Sequence, residues 1–303
     1  MKISLVNTLR RFTLIGFSFF ILKTSIGQSK GLVAKEATLQ LISKQFAFTE
    51  GPAVDKYGNI FFTDQPNNTI WKYDTDGKLS VFLEKTRRSN GMYFDKKGNL
   101  ITCADEQNQI ISINPKGEIK LLVNDLNGLH FNGPNDLWIS PTGGIYFTDP
   151  FYPRDYWTRK MPELKGQYVY YLAKNNTPIL VSDQLMQPNG IIGTPDGKLL
   201  YVADIKGNKT YRFNIMADGS LSAPTLFVEK GSDGLTIDEN GNIYLTGDGV
   251  SVYNPKGELI EHIKVPENWT ANVTFGGKDN QTLFITASKA VYTLQMNVKG
   301  VPL

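Results

Sequence analysis

Six oxygen-bearing residues, Glu50, Asn90, Asn135, Asn189, Asp233 and Asn272, each open one copy of a recurring phrase. The copies read EGPAVDKYGNIFF, NGMYFDKKGNLIT, NDLWISPTGGIYF, NGIIGTPDGKLLY, DGLTIDENGNIYL and NVTFGGKDNQTLF. In each, a turn residue follows eight positions later: Gly58, Gly98, Gly143, Gly197, Gly241 and finally Asn280. Two carboxylates and four carboxamides, without Cys or His, form a hard-oxygen donor set that suits Ca²⁺, Mg²⁺ or Mn²⁺ better than structural zinc. Taken singly, an Asn or Asp before a strand is an ordinary turn former. Six in register require a common cause.

Repeats of about 40 to 50 residues, each reading strand, turn, strand, predict an all-β, six-bladed propeller. Blades are arranged radially, so equivalent positions ring the central channel and the six side chains face one mouth. Second hairpins lie between the phrases, as in IWKYDTDGKLSVFL and VSVYNPKGELIEHI, and bring each blade to four strands. The sixth copy is followed only by AVYTLQMNV, while an apolar stretch, ATLQLISKQF (37–46), precedes the first copy. This N-terminal strand is expected to complete the last blade and close the ring, which removes free sheet edges. Asp64, Asp105, Asp149, Asp204 and Asp248 recur at the ends of second strands, with Asn208 nearby, and are expected to cap the turns that follow. Residues 149–166 interrupt the third blade with Phe151, Tyr152, Tyr156 and Trp157. So long and aromatic a segment reads as a lid or wall over the mouth, with a surface flap or subunit contact as the alternative.

Residues 1–27 read as a signal peptide: Lys2, Arg10 and Arg11, an apolar run from Phe12 to Leu22, then Ser25-Ile26-Gly27 before the expected cleavage at Gln28. The run is too short for a permanent bilayer span, so no stable membrane anchor is expected after cleavage, an uncleaved anchor being the alternative. The remainder, 28–303, is expected to be a single domain, exported to the periplasm or secreted. Four of the 32 Lys and Arg (Lys2, Arg10, Arg11, Lys23) fall in the leader, which holds no acid; the remaining 28 face 29 acidic residues. The mature chain is therefore near neutral, and nothing in it supports a nucleic-acid partner. Cys103, the one cysteine, cannot form an intrachain disulfide and reads as a small buried hydrophobe. Two histidines, His130 and His262, without a G-x-S-x-G elbow argue against a Ser-His-Asp hydrolase. Hydrolysis would have to be metal-assisted.

The segments FTEGPAVD (48–55), SNGMYFD with NLITCAD (89–105), FNGPNDLWISPTGGIYFTDPFY (131–152), QPNGI (187–191) and SDGLTIDENGNIY (232–244) resemble the regucalcin (senescence marker protein)/gluconolactonase family of six-bladed propeller lactonases, bacterial gluconolactonases in particular. The resemblance spans essentially the whole mature chain. It implies one divalent cation at one end of the channel, Ca²⁺ first, with Mg²⁺, Mn²⁺ or Zn²⁺ as alternatives. By motif, Glu50, Asn189 and Asp233 match the family's protein ligands, and Asn135 matches the residue that touches substrate, metal or metal-bound water. Asn90 and Tyr152 join Asn135 as expected substrate contacts, and Asp105 ends a strand where bacterial members often present a polar group. Animal members hold substrate with an Arg two residues before that Asn; here the position is Gly133.

These readings converge on a metal-dependent hydrolase that opens a small lactone, a sugar lactone such as glucono-1,5-lactone being the leading substrate. Asp233 is the candidate general acid/base, because a carboxylate beside the metal can take a proton from water and return it to the leaving alkoxide. Asp136 is the reserve candidate, with a strand-start cap as its structural role. Two alternatives stay open: a non-catalytic calcium- and ligand-binding propeller, and a hydrolase of non-sugar lactones or esters. No oligomeric state follows from the sequence.

Overall fold

The computed structural model describes residues 31–173 and 177–301, so the expected leader lies outside the described residues. The described chain is all strand, arranged as six four-stranded antiparallel sheets that form the blades of a propeller, plus a two-stranded hairpin. Blades one to five take their strands consecutively from residues 49–84, 89–123, 137–182, 188–228 and 235–263. The sixth takes Thr270–Gly276, Thr282–Ala287 and Ala290–Gln295. Its outer place is filled by the N-terminal strand Gln40–Ser43, paired antiparallel to Ala290–Gln295. The extra hairpin, Asp125–Leu126 with Leu129–His130, joins blades two and three and was not foreseen from the sequence.

Burial follows position along each blade. Second strands such as Ile60–Asp64, Leu100–Ala104 and Ile145–Asp149 are buried throughout, whereas the fourth strand of the first blade, Leu79–Glu84, is partly exposed. Inner strands are covered on both faces by neighbouring blades, which is why their sequences are apolar without alternation. All six turn residues adopt left-handed backbone, from φ +57° at Asn280 to +88° at Gly143, which only Gly and, less readily, Asn adopt at little cost.

The inner strands converge on the axis, and two devices aim the ring residues there. In blades one, two, four and six the first strand carries a β-bulge beside the ring residue, which turns that side chain out of the ladder. A glycine follows the ring residue in four phrases and lets adjacent strands approach closely. At Gly51 (φ +46°) an added Cβ would lie 2.0 Å from the carbonyl oxygen of Asn90. The Thr148 hydroxyl completes the tie by donating to the Asn189 carbonyl of the next blade at 2.6 Å.

The expected turn-capping role of the strand-end aspartates is corrected. Asp64, Asp149 and Asp204 chiefly accept the backbone N–H groups entering their own blade, from Ala47 and Phe48, Asn132 and Gly133, and Met186 and Gln187 respectively. The turn-capping role survives in part: Asp204 also accepts the N–H of Gly207, and Asp64 the side-chain amide of Asn67 at 2.7 Å, each in the turn that follows. Asp105 is not equivalent to them. The N–H groups of Gln65, Asp105 and Ile205 donate to Phe48, Arg88 and Gln187, each two residues before its ring residue, so Asp105 occupies the Gln65 position and Ala104 the clip position. Asp248 is exposed and makes no such clip.

Deleting residues 31–43 removes Leu39 and Ile42 from the core clusters they cover and bares the Ala290–Gln295 edge. The expected outcome is a fall in Tm of about 10 °C and concentration-dependent light scattering. A truncated protein that melts like the full chain would show that ring closure does not depend on this strand.

Candidate active site

Glu50, Asn90, Asn135, Asn189 and Asp233 line one cavity of about 240 Å³ at the end of the propeller where the inner strands begin. Its wall is completed by Phe48, Gln65, Tyr152, Arg154, Ile205 and Trp269. Five of the six ring residues and Tyr152 are thus brought together. The sixth, Asn272, forms the floor: its amide nitrogen lies 3.3 Å from Glu50 Oε2 and 3.5 Å from Asp136 Oδ2, on the opposite blade. Beneath it a narrow channel of about 50 Å³, lined by Asp136, Leu137 and Ile191 among others, ends at Gly300 and Val301. Asp136 therefore faces the channel below the mouth, and its Oδ1 caps the Leu137 N–H at the strand start.

Three ring side chains, those of Glu50, Asn189 and Asp233, are fixed by hydrogen bonds that leave an oxygen for the cavity. Glu50 Oε2 accepts from the Gly51 N–H at 2.8 Å as well as from Asn272, leaving Oε1 for the mouth. Asn189 donates its amide to the Tyr152 hydroxyl at 3.0 Å, which leaves its carbonyl oxygen to face a ligand. Asp233 Oδ2 accepts the indole N–H of Trp269 at 2.6 Å. Asn90 Oδ1 is buried without a hydrogen-bond partner in the protein. An orphaned buried oxygen of this kind calls for a ligand or water donor, or a cation.

The electrostatics point the same way. Burial, with the charge of Asp233 next, pushes the Glu50 carboxyl well above the usual carboxylate range. Burial raises Asp233 to about 6, against the pull of Trp269, Asn189 and Arg154. Asp136 is raised by burial to about 7. Two close carboxylates that burial discourages from ionising, flanked by carboxamide oxygens, match the donor chemistry of a hard divalent cation. No cluster of three or more His, Cys, Asp or Glu with metal-binding geometry occurs among the described residues, so any such site relies on carboxamides for half its ligands.

The insertion forms part of the mouth wall. Three arginines stack on its aromatic rings: Arg88 on Tyr156 at 4.3 Å, Arg159 on Trp157 at 4.5 Å and Arg154 on Tyr152 at 5.7 Å. Asp105 anchors it, accepting the Tyr156 hydroxyl at its carboxylate and the Trp157 indole N–H at its carbonyl, 2.8 Å away. At Gly133 an added Cβ would meet the Trp157 ring at 2.9 Å, so the space an arginine would take in the animal pattern holds the insertion instead. His130 and His262 are exposed, paired with Glu163 and Ser251, and Cys103 is fully buried.

Arg154 and Trp269 were missed from the sequence. Trp269 stands three residues before Asn272, one more residue in the segment entering a ring position, and that was the available signal. Arg154 lies in an irregular segment, where spacing says nothing about direction.

Residues 48–289 match the model of the SMP-30/gluconolactonase/LRE-like region. The chain is 28% identical over 293 residues to a gluconolactonase of Zymomonas mobilis, covering 86% of this chain and 82% of that one. It is 30% identical over 245 residues to the lactonase drp35 of Staphylococcus saprophyticus, covering 74% and 72%. Among solved structures, a gluconolactonase from Xanthomonas campestris superposes with a TM-score of 0.81 at 28% identity, covering 88% of this chain and 91% of that one. A family match over most of the chain and a propeller whose ring residues meet at one mouth lead to the same conclusion: this chain belongs to the SMP-30/gluconolactonase/LRE-like family.

Proposed function

We propose that this protein hydrolyses a lactone of monosaccharide size with the help of one divalent cation, Ca²⁺ being the first candidate. The observation that carries the reading is the convergence of Glu50, Asn90, Asn135, Asn189 and Asp233 on one small cavity open to solvent. Relatives named gluconolactonase and lactonase support the same class of reaction. A cavity of about 240 Å³ lies just below the usual range for small-molecule sites and suits a single sugar ring.

Glu50, Asn135, Asn189 and Asp233 would hold the cation, which when bound polarises the lactone carbonyl and makes water acidic. The remaining work falls to the protein. Asn90 and Asn135 offer amide groups to ring substituents, and Tyr152, fixed by Asn189, walls the ring from one side. Asp233, with Oδ2 engaged by Trp269, carries a proton at Oδ1: it takes one from the attacking water and returns it to the ring oxygen as the acyl C–O bond breaks. Water adds across that bond, and the product is a hydroxy acid. Asp136, below the mouth, has no path to that oxygen except through the Asn272 floor.

Glu50→Gln and Asp233→Asn should each lower kcat/KM on the best lactone by at least about 10²-fold while circular dichroism stays that of the parent. Parent-like turnover in either variant, with metal present, would remove these residues from the mechanism.

The raised carboxyls also set a pH signature. A carboxyl whose folded pKa exceeds its unfolded value binds its proton more tightly when folded. Its stabilisation is complete below about pH 4 and is lost as pH rises through the folded values of about 6 for Asp233 and about 7 for Asp136 and Asp149. Metal-free protein should therefore lose stability between about pH 4 and pH 7. A cation needs Glu50 and Asp233 ionised, so added Ca²⁺ should raise Tm more at pH 8 than at pH 5. Calorimetry with and without chelator at the two pH values measures this. A Ca²⁺ effect that is absent, or equal at both, contradicts cation binding by these carboxyls.

A further inference from the structure

Arg154 is the one cationic side chain among the described residues lining the mouth. It reaches the cavity from the insertion and is fixed on two sides. Its Nε lies 3.3 Å from the buried Asp105 carboxylate, and its guanidinium sits 5.7 Å from the Tyr152 ring centroid. The Asp105 contact is an ion pair without hydrogen-bond alignment, since the buried Nε–H has no partner in line. Asp105 meanwhile accepts the Tyr156 hydroxyl. Neither terminal nitrogen of Arg154 donates to a described residue, and neither is enclosed, so the two-pronged end of this cavity-lining guanidinium is free to pair with a ligand.

The lining of the mouth thus carries two chemistries. Glu50, Asn189 and Asp233 present oxygens that suit a cation and, through it, a carbonyl. Arg154 presents parallel N–H donors whose spacing matches two oxygens on one carbon, and charge-assisted pairs of this kind are about twice as strong as neutral ones. Both chemistries fall within one cavity. Because Trp157 fills the space over Gly133, an arginine at that position could not take this role without displacing the insertion.

We propose that Arg154 binds a carboxylate carried by the lactone on the side of its ring away from the carbonyl, which makes this protein selective for acidic lactones. This rests on the lactonase reading above. The carboxylate meets a donor pair already oriented by Asp105 and Tyr152, and the negative charge of Glu50 and Asp233 is offset when a cation is bound.

The test uses two lactones that differ at one carbon: glucono-1,4-lactone, ending in a hydroxymethyl group, and glucaro-1,4-lactone, ending in a carboxylate. The wild-type protein loaded with Ca²⁺ should favour the acidic lactone in kcat/KM. Arg154→Met should reduce the ratio of the two kcat/KM values by about 10- to 100-fold. Arg154→Lys, which keeps the charge without the fork, should fall between and guards against a misfolded Met variant. Equal turnover of both lactones by the wild type, or a ratio unchanged in both variants, overturns the assignment. If neither lactone is opened, the lactonase reading fails, and the Arg154 assignment is then decided by binding of the open-chain acids through tryptophan fluorescence. Arg154→Met must weaken glucarate binding more than gluconate binding; equal weakening rejects it.

Discussion

Glu50 and Asp233 stand in one confined mouth, and every nearby feature responds to the cost of keeping them there. Burial drives both carboxyls toward the neutral form, and the charge of Asp233 adds to the effect at Glu50. The protein answers with single, directed donors: Gly51 N–H and Asn272 at Glu50, and the Trp269 indole at Asp233. These hold orientation without neutralising charge. The compensation is incomplete, which is the gap the proposed cation would fill, and the buried, unpartnered Asn90 oxygen belongs to the same pattern.

That crowding depends on how closely six blades can converge. The glycine after most ring residues removes the Cβ that would strike the adjacent strand, and the bulges swing ring side chains toward the axis. Where the third phrase has Asp136 in place of that glycine, the extra side chain goes into the channel and meets Asn272 from the opposite blade. The contact separates mouth from channel and gives the cavity a floor. The aspartate clips at the ends of second strands hold the entering loops in register, so the ring residues are fixed from both sides.

The insertion in the third blade changes what the mouth can recognise. Its ordering comes from three arginine–aromatic stacks and the Asp105 anchor, all made with residues of blades two and three. Gly133 is permissive here: its missing side chain leaves room for Trp157, and Trp157 in turn helps seat the segment that carries Tyr152 and Arg154 into the wall. The mouth is thus lined both by repeated ring positions and by one irregular segment, and irregular segments on a rigid scaffold are where specificity varies most readily.

Repetition made the blades, the ring positions and the N-terminal closing strand legible in the sequence. The turn residues needed left-handed backbone, the inner strands needed unbroken apolar runs, and both requirements recur wherever the same local geometry recurs. Ring residues share an axis because equivalent positions in a closed ring must, so their meeting at one mouth followed from the count of phrases. Asp105 was misread because register differs by one residue between blades, and spacing alone does not reveal which strand-end residue faces the entering loop. The separation of Asn272 and Asp136 from the mouth, the indole on Asp233 and the open end of Arg154 came from tertiary structure alone. Each depends on where a side chain from another blade or from a non-repeating loop happens to reach, and no periodicity encodes that.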